Sequence, residues 1–196
     1  MLAVMSVTSL LLAGCGGDER LKGADMSTMI IEKDRITALT VSSFDTSIYS
    51  ESELRRMADE ETRAYNRENG AKSVKFEKLS VRDGKAYLTM SYRSAEDYAA
   101  FNNLTFENGP LAESGLPDET RVLSTDGKLL TTFGNLREDP ENEWMLIVLE
   151  EPMRIYTDGT ICYVSGDAVS DGTAVTIGAE ADPDRFLSEP SYVVYK

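Results

Sequence analysis

The chain has 196 residues, enough for one ordinary domain or at most two small ones. Its 34 aspartate and glutamate residues outnumber 20 lysine and arginine residues, and the resulting net charge of −14 argues against a nucleic-acid partner, whose phosphates require clustered positive charge. There is no histidine, and the only cysteines are Cys15 and Cys162. These counts exclude histidine-based catalytic triads, zinc fingers and paired-cysteine redox centres, and we expect no metal or other cofactor.

The first fourteen residues, Met1–Gly14, carry no charge and end in an apolar run. The run is shorter than the roughly 20 residues that a membrane-spanning helix needs. Its length and its small final residues are typical of a secretion signal. The alternative is that residues 2–13 form a buried strand or helix of the domain.

The tetrapeptide Leu12-Ala13-Gly14-Cys15 resembles the lipobox of bacterial lipoproteins. The resemblance implies that residues 1–14 are cleaved as a signal peptide and that the Cys15 thiol receives a diacylglyceryl group. We therefore expect a mature chain of 182 residues (196 − 14) at the extracytoplasmic face of the cell membrane. Because no lysine or arginine precedes the apolar run, we expect the true start to lie upstream. Because the chain is acidic, an anionic membrane leaflet does not attract it electrostatically, so the lipid itself must supply the membrane attachment.

The N-terminal half of the predicted domain shows strong local signals. Residues 15–27 are assigned to the lipidated cysteine and a polar tether. Ser50 and Ser94 each precede a helical pattern as N-caps, the first helix running to about Asn69, and Asp83-Gly84 is typical of a tight hairpin turn. Strands are predicted over 28–32, 36–44, 74–81 and 86–92. The order ββαββα predicts an α+β fold with two helices on one face of an antiparallel sheet.

The first predicted helix is amphipathic. Leu54, Met57, Ala58 and Tyr65 recur at helical spacing and are expected to face the core.

From Leu104 onward the pattern becomes β-rich. Strands are predicted over 121–124, 129–133, 144–150, 153–156, 161–165, 174–177 and 192–195. The continuous apolar run 144–149 predicts a strand buried on both faces, and the polar segment 134–143 predicts an exposed loop. We expect one α+β domain over 28–196; the alternative is a subdivision near 104–120.

The segment Val74–Asn102 resembles a group of small extracytoplasmic lipoproteins of Gram-positive bacteria, and Tyr163-Val164-Ser165 is similar to their late strand. The shared motifs are turns, caps and core positions. The resemblance therefore implies a location and an architecture and carries over no active site.

No phosphate-binding glycine loop and no serine-nucleophile motif occurs in the sequence. The leading hypothesis is therefore a lipid-anchored, non-enzymatic module that binds another protein, a cell-envelope component or a small ligand, with the ligand itself unknown. One alternative is a small hydrolase of envelope polymers, with paired carboxylates about 5–10 Å apart. A further alternative is an accessory subunit of a membrane complex, with an exposed apolar patch.

Several segments have two interpretations. The acidic segments 138–143 and 182–184 offer oxygen ligands for calcium, but neither matches a calcium-binding loop, and solvated loops are preferred. Segment 125–128 has the spacing of a nucleophile and a lysine, which a hairpin turn explains better. Cys162 is interpreted as a small buried hydrophobic residue. Four aromatic residues are assigned to packing in the core or on a sheet face rather than to a ligand groove: Tyr87, Tyr92, Tyr98 and Phe101.

Overall fold

The structure, a computed structural model, describes residues 18–33, 35–166, 168–179, 181–182 and 184–196. The predicted signal peptide and Cys15 lie outside the described residues. The described helices are α1 Glu51–Asn69, α2 Ala95–Asn102 and α3 Phe133–Arg137. The strands are β1 Thr28–Glu32, β2 Arg35–Ser43, β3 Val74–Arg82, β4 Lys85–Tyr92, β5 Phe106–Pro110, β6 Arg121–Ser124, β7 Leu130–Thr132, β8 Met145–Leu149, β9 Met153–Thr157, β10 Ile161–Val164, β11 Val169–Ser170, β12 Val175–Ile177 and β13 Ser191–Tyr195.

The described strands form two sheets, which confirms the predicted α+β class with a β-rich C-terminal half. One sheet has the order β11-β12-β9-β1-β2-β4-β3, and the other has the order β5-β8-β13-β10-β6-β7. Within the first sheet β1 and β9 are parallel, with Thr28 opposite Arg154, whereas the remaining pairs are antiparallel. Strands from both halves of the chain therefore share one sheet.

The apolar side chains form two cores on opposite faces of β8. Ile147 and Leu149 are fully buried in the larger core, which lies between the two sheets. Leu146 and Val148 point the other way, into a smaller core that the chain around α3 covers. The prediction of a strand buried on both faces is confirmed.

The predicted caps and turns form as expected. The Glu53 N–H donates to the Ser50 hydroxyl over 3.1 Å, and the Asp97 N–H donates to the Ser94 hydroxyl over 3.2 Å. The β3–β4 turn has positive φ at Asp83 and Gly84, as an Asp-Gly turn requires. These local devices fix the ends of both helices and the register of the second hairpin.

Two predictions about packing were wrong. Met57 is 49% exposed, because the face of α1 that meets the sheet is centred on Ala58 and Thr62 instead. The segment 134–143 is not entirely an exposed loop, since it begins within α3 and its Leu136 is buried. Phe133 and Leu136 are three residues apart, so one turn of α3 places both side chains on the face that packs into the smaller core.

The segment 18–27 is in contact with the first sheet. Its Arg20 guanidinium donates to Glu32 over 3.1 Å, at the end of β1. Ser27 is buried, and its hydroxyl accepts a hydrogen bond from the Val41 N–H over 3.0 Å. The described chain therefore enters the domain beside the β1–β2 turn.

Candidate binding groove

A groove of about 620 Å³ lies between the end of α2, the start of β5 and the loop that precedes β13. Its lining includes Glu96, Ala99, Leu104, Phe106, Glu150 and Phe186. We call it the α2 groove. Its volume is within the range of small-ligand sites.

The end of α2 shapes one wall of the α2 groove. Asn103 adopts the left-handed conformation, with φ 52° and ψ 52°, and its N–H donates to the Ala99 carbonyl. The Leu104 N–H donates to the same carbonyl over 3.1 Å. This reversal ends the helix and leads the chain to Phe106, which is buried at the start of β5.

The opposite wall is formed by the loop that carries Phe186. The Leu187 N–H donates to the Glu150 carbonyl over 2.7 Å, which joins this loop to the end of β8. Gly178 has φ +61°, and a Cβ atom there would lie 2.9 Å from the Leu187 Cδ2 atom. The glycine thus permits Leu187 to pack closely, while the adjacent Phe186 stays 63% exposed beside the α2 groove.

The charged groups of the α2 groove are acidic. The Ser94 hydroxyl holds the pKa of Glu96 below its ordinary value and so favours the ionised form. Within the described residues, neither Glu96 nor Glu150 forms an ion pair. The charged side chains that line the groove are therefore carboxylates that have no ion-pair partner among the described residues.

A partly buried hydrogen bond lies behind the α2 groove. The Tyr98 hydroxyl donates to the Glu151 carboxylate over 2.7 Å. Burial raises the pKa of Glu151, while the Tyr98 hydrogen bond partly opposes that increase. Burial also raises the pKa of Tyr98 well above its ordinary value. The pair connects α2 to the β8–β9 connection and places a second carboxyl next to Glu150.

The predicted aromatic set lies mainly in the core. Tyr92 and Tyr98 are buried and pack edge to face, with their ring centroids 4.9 Å apart. Tyr87 lies beneath the Arg82 guanidinium, 4.1 Å from its ring centroid, and Phe101 packs against Tyr92. The assignment to packing is confirmed for Tyr92 and Tyr98. The aromatic residues that line the α2 groove, Phe106 and Phe186, were not predicted.

A second groove, of about 710 Å³, lies between α1 and the start of β3. Three of its cations already have carboxylate partners: Arg35 pairs with Glu32, Lys75 with Glu77 and Arg93 with Asp97. Its positive charge is therefore largely neutralised, and we regard the α2 groove as the better candidate site.

The remaining sequence candidates show no assembled site. Segment 125–128 forms the β6–β7 turn, where Asp126 accepts hydrogen bonds from Ser124 and Lys128. Burial raises the pKa of the half-buried Cys162 thiol, which disfavours a reactive thiolate. Within the described part of the chain, no group of three or more metal-ligating side chains is close enough together to hold an ion.

No known protein family matches the chain, and no curated protein or solved structure matches it either. The resemblance to Gram-positive lipoproteins therefore stays a prediction. Among the described helices, none is both long and apolar enough to cross a membrane.

Proposed function

We propose that this chain is a lipid-anchored, extracytoplasmic and non-enzymatic binding module that holds its ligand in the α2 groove. The observation that carries the binding role is Phe186, a large aromatic side chain that is 63% exposed at the wall of a groove. Exposed apolar surface beside a concave site is typical of a ligand contact.

The position of the tether supports the anchoring role. Asp18 follows Cys15 by three residues, which reach about 10 Å when fully extended. Arg20 then binds Glu32 beside the β1–β2 turn. A lipid on Cys15 would therefore hold this end of the domain close to the membrane surface.

Two alternatives each have one supporting observation. Glu150 and Glu151 are two successive carboxyl side chains in the β8–β9 connection, and this adjacency favours a hydrolase in which Glu151, whose pKa burial raises, acts as a general acid. Three exposed leucines on the β6–β7 hairpin favour an accessory subunit that packs against a partner: Leu123, Leu129 and Leu130. The binding module is preferred because the α2 groove combines an exposed aromatic side chain with carboxylates that lack ion-pair partners among the described residues.

Labelling with radioactive palmitate in a bacterial host tests the anchor. We expect label in the wild-type chain and in Cys162→Ala, and none in Cys15→Ala. Equal labelling of the wild type and Cys15→Ala would contradict the anchoring role. Release of sugars from cell-wall polymer by the wild type, lost in Glu151→Gln, would replace the binding role with the hydrolase.

A further inference from the structure

We propose that the α2 groove selects an organic cation, an ammonium group carried on an apolar frame. The inference rests on the proposed binding role of this groove and names the chemistry of its ligand. It does not depend on lipidation of Cys15.

The charges of the α2 groove are complementary to a cation. Glu96 and Glu150 line the groove without an ion-pair partner among the described residues. Arg185, the neighbour of Phe186, is already paired with Asp182 over 3.3 Å. An ammonium group would therefore gain attraction from the two carboxylates, whereas an anion would be repelled by both.

The apolar surface of the α2 groove is complementary to the frame of the same ligand. Leu104 and Phe106 line its apolar part, and Phe186 stands exposed beside them. The face of an aromatic ring attracts a cation, so Phe186 can contribute both apolar contact and cation–π attraction. The volume of about 620 Å³ suits a small organic molecule.

The three probes of the test share one aromatic frame and differ in charge: phenethylamine, phenethyl alcohol and phenylacetate. Each is titrated into the full chain in nonionic detergent by calorimetry, while the methyl NMR signals of Ala99 and Ala100 report the location of binding. We expect the amine to bind about tenfold more tightly than the alcohol, and the carboxylate to show no binding. Equal affinity for all three probes, or no binding of the amine, would overturn the proposal.

Matched variants separate the contributions of charge and ring. Glu150→Gln and Glu96→Gln should each weaken binding of the amine about fivefold. Glu141→Gln makes the same change on the exposed segment 138–143 and should leave binding unchanged. Phe186→Leu retains apolar contact but lacks the ring, and it should weaken binding of the amine more than binding of the alcohol. If Glu141→Gln lowers the affinity for the amine as much as Glu96→Gln and Glu150→Gln do, the assignment of binding to this groove is overturned.

The Cys15→Ala variant distinguishes the two proposals. If it binds the amine as the wild type does but takes up no palmitate, both proposals hold. If the wild type binds the amine yet is not lipidated, the ligand assignment stands and the anchoring role fails.

Discussion

The Tyr98 hydroxyl donates a hydrogen bond of 2.7 Å to the Glu151 carboxylate, which joins the buried side of α2 to the β8–β9 connection. Tyr98 is 4% exposed, and its ring packs against Phe106 with the centroids 4.9 Å apart. Since Phe106 and Glu150 both line the α2 groove, this contact fixes two of its walls relative to each other.

The Glu151→Gln variant should change how stability depends on pH. Burial raises the pKa of Glu151 in the folded state, so the ionised form costs stability there. In the unfolded chain the pKa of a glutamate is about 4.3, and below that pH Glu151 is protonated in both states, so its burial does not lower the free energy of unfolding. The loss of stability develops as the pH rises from that value towards the higher pKa of the folded state. We therefore expect the stability of Glu151→Gln relative to wild type to increase from acidic to neutral pH. Urea unfolding at a series of pH values measures this, and a difference that is constant with pH would contradict it.

The Arg137→Lys variant should destabilise the smaller core. The guanidinium donates to the carbonyl oxygens of Leu111, Ser114 and Leu116, over 3.3, 3.1 and 2.9 Å. A lysine ammonium cannot reach all three in that geometry, and we expect the free energy of unfolding to fall by about 1–3 kcal/mol.

Arg185→Lys is the matched control for this change. Arg185 is an exposed arginine that pairs with Asp182 alone among the described residues. In thermal unfolding of both variants, we expect a lower melting temperature for Arg137→Lys only. Equal melting temperatures would show that the Arg137 contacts contribute nothing to stability.

The Asn66→Ala variant should open one edge of the first sheet. The Asn66 side chain donates to the Val74 carbonyl over 2.7 Å and accepts from the Val74 N–H over 2.9 Å. It thereby occupies the hydrogen-bonding groups of Val74 at the start of the edge strand β3, as a neighbouring strand would. We expect Asn66→Ala to cost about 1–2 kcal/mol and to speed hydrogen exchange at the Val74 amide. Glu68→Ala, an exposed change on the same helix, should leave that exchange rate as in the wild type; a Val74 amide that stays equally protected in Asn66→Ala would refute the role of Asn66.

The Gly178→Ala variant should disturb the loop that carries Phe186. A Cβ atom at Gly178 would lie 2.9 Å from Leu187 Cδ2 and 3.3 Å from Ala181 Cβ. Gly172 also has a positive φ, but a Cβ there would meet nothing within 4 Å. Alanine at either position has an unfavourable positive φ, which lowers the free energy of unfolding by about 1 kcal/mol. Any further decrease in Gly178→Ala therefore measures the steric contact of the new Cβ atom with Leu187 and Ala181. We expect that additional loss in thermal unfolding, together with weaker amine binding; indistinguishable variants would mean that Leu187 adjusts freely.

The sequence predicted the parts of the fold that depend on local signals. Ser50, Ser94 and Asp83-Gly84 act on neighbouring backbone groups, so their effects follow from residue type and spacing alone. The parallel pairing of Thr28 with Arg154 has no such signal, because it joins segments that are distant along the chain. The short helix α3 was missed because its two buried residues span a single turn beside a charged segment.

The candidate site was missed for a similar reason. Glu150 and Phe186 meet only because the Leu187 N–H bonds to the Glu150 carbonyl across a long stretch of chain. The one local signal was the position of Phe186 itself, an isolated aromatic residue within the polar segment 178–190. Such a residue lies outside any periodic pattern, so neither helical nor strand spacing assigns it to the core or to a site.

Cleavage before Cys15 and acylation of its thiol are tested by the intact mass of the mature protein purified from bacterial membranes. We expect a chain that begins at Cys15, lacks the fourteen residues before it and carries the added mass of a diacylglyceryl group and its fatty acids. A chain that retains Met1–Gly14 and has an unmodified Cys15 thiol would contradict this expectation.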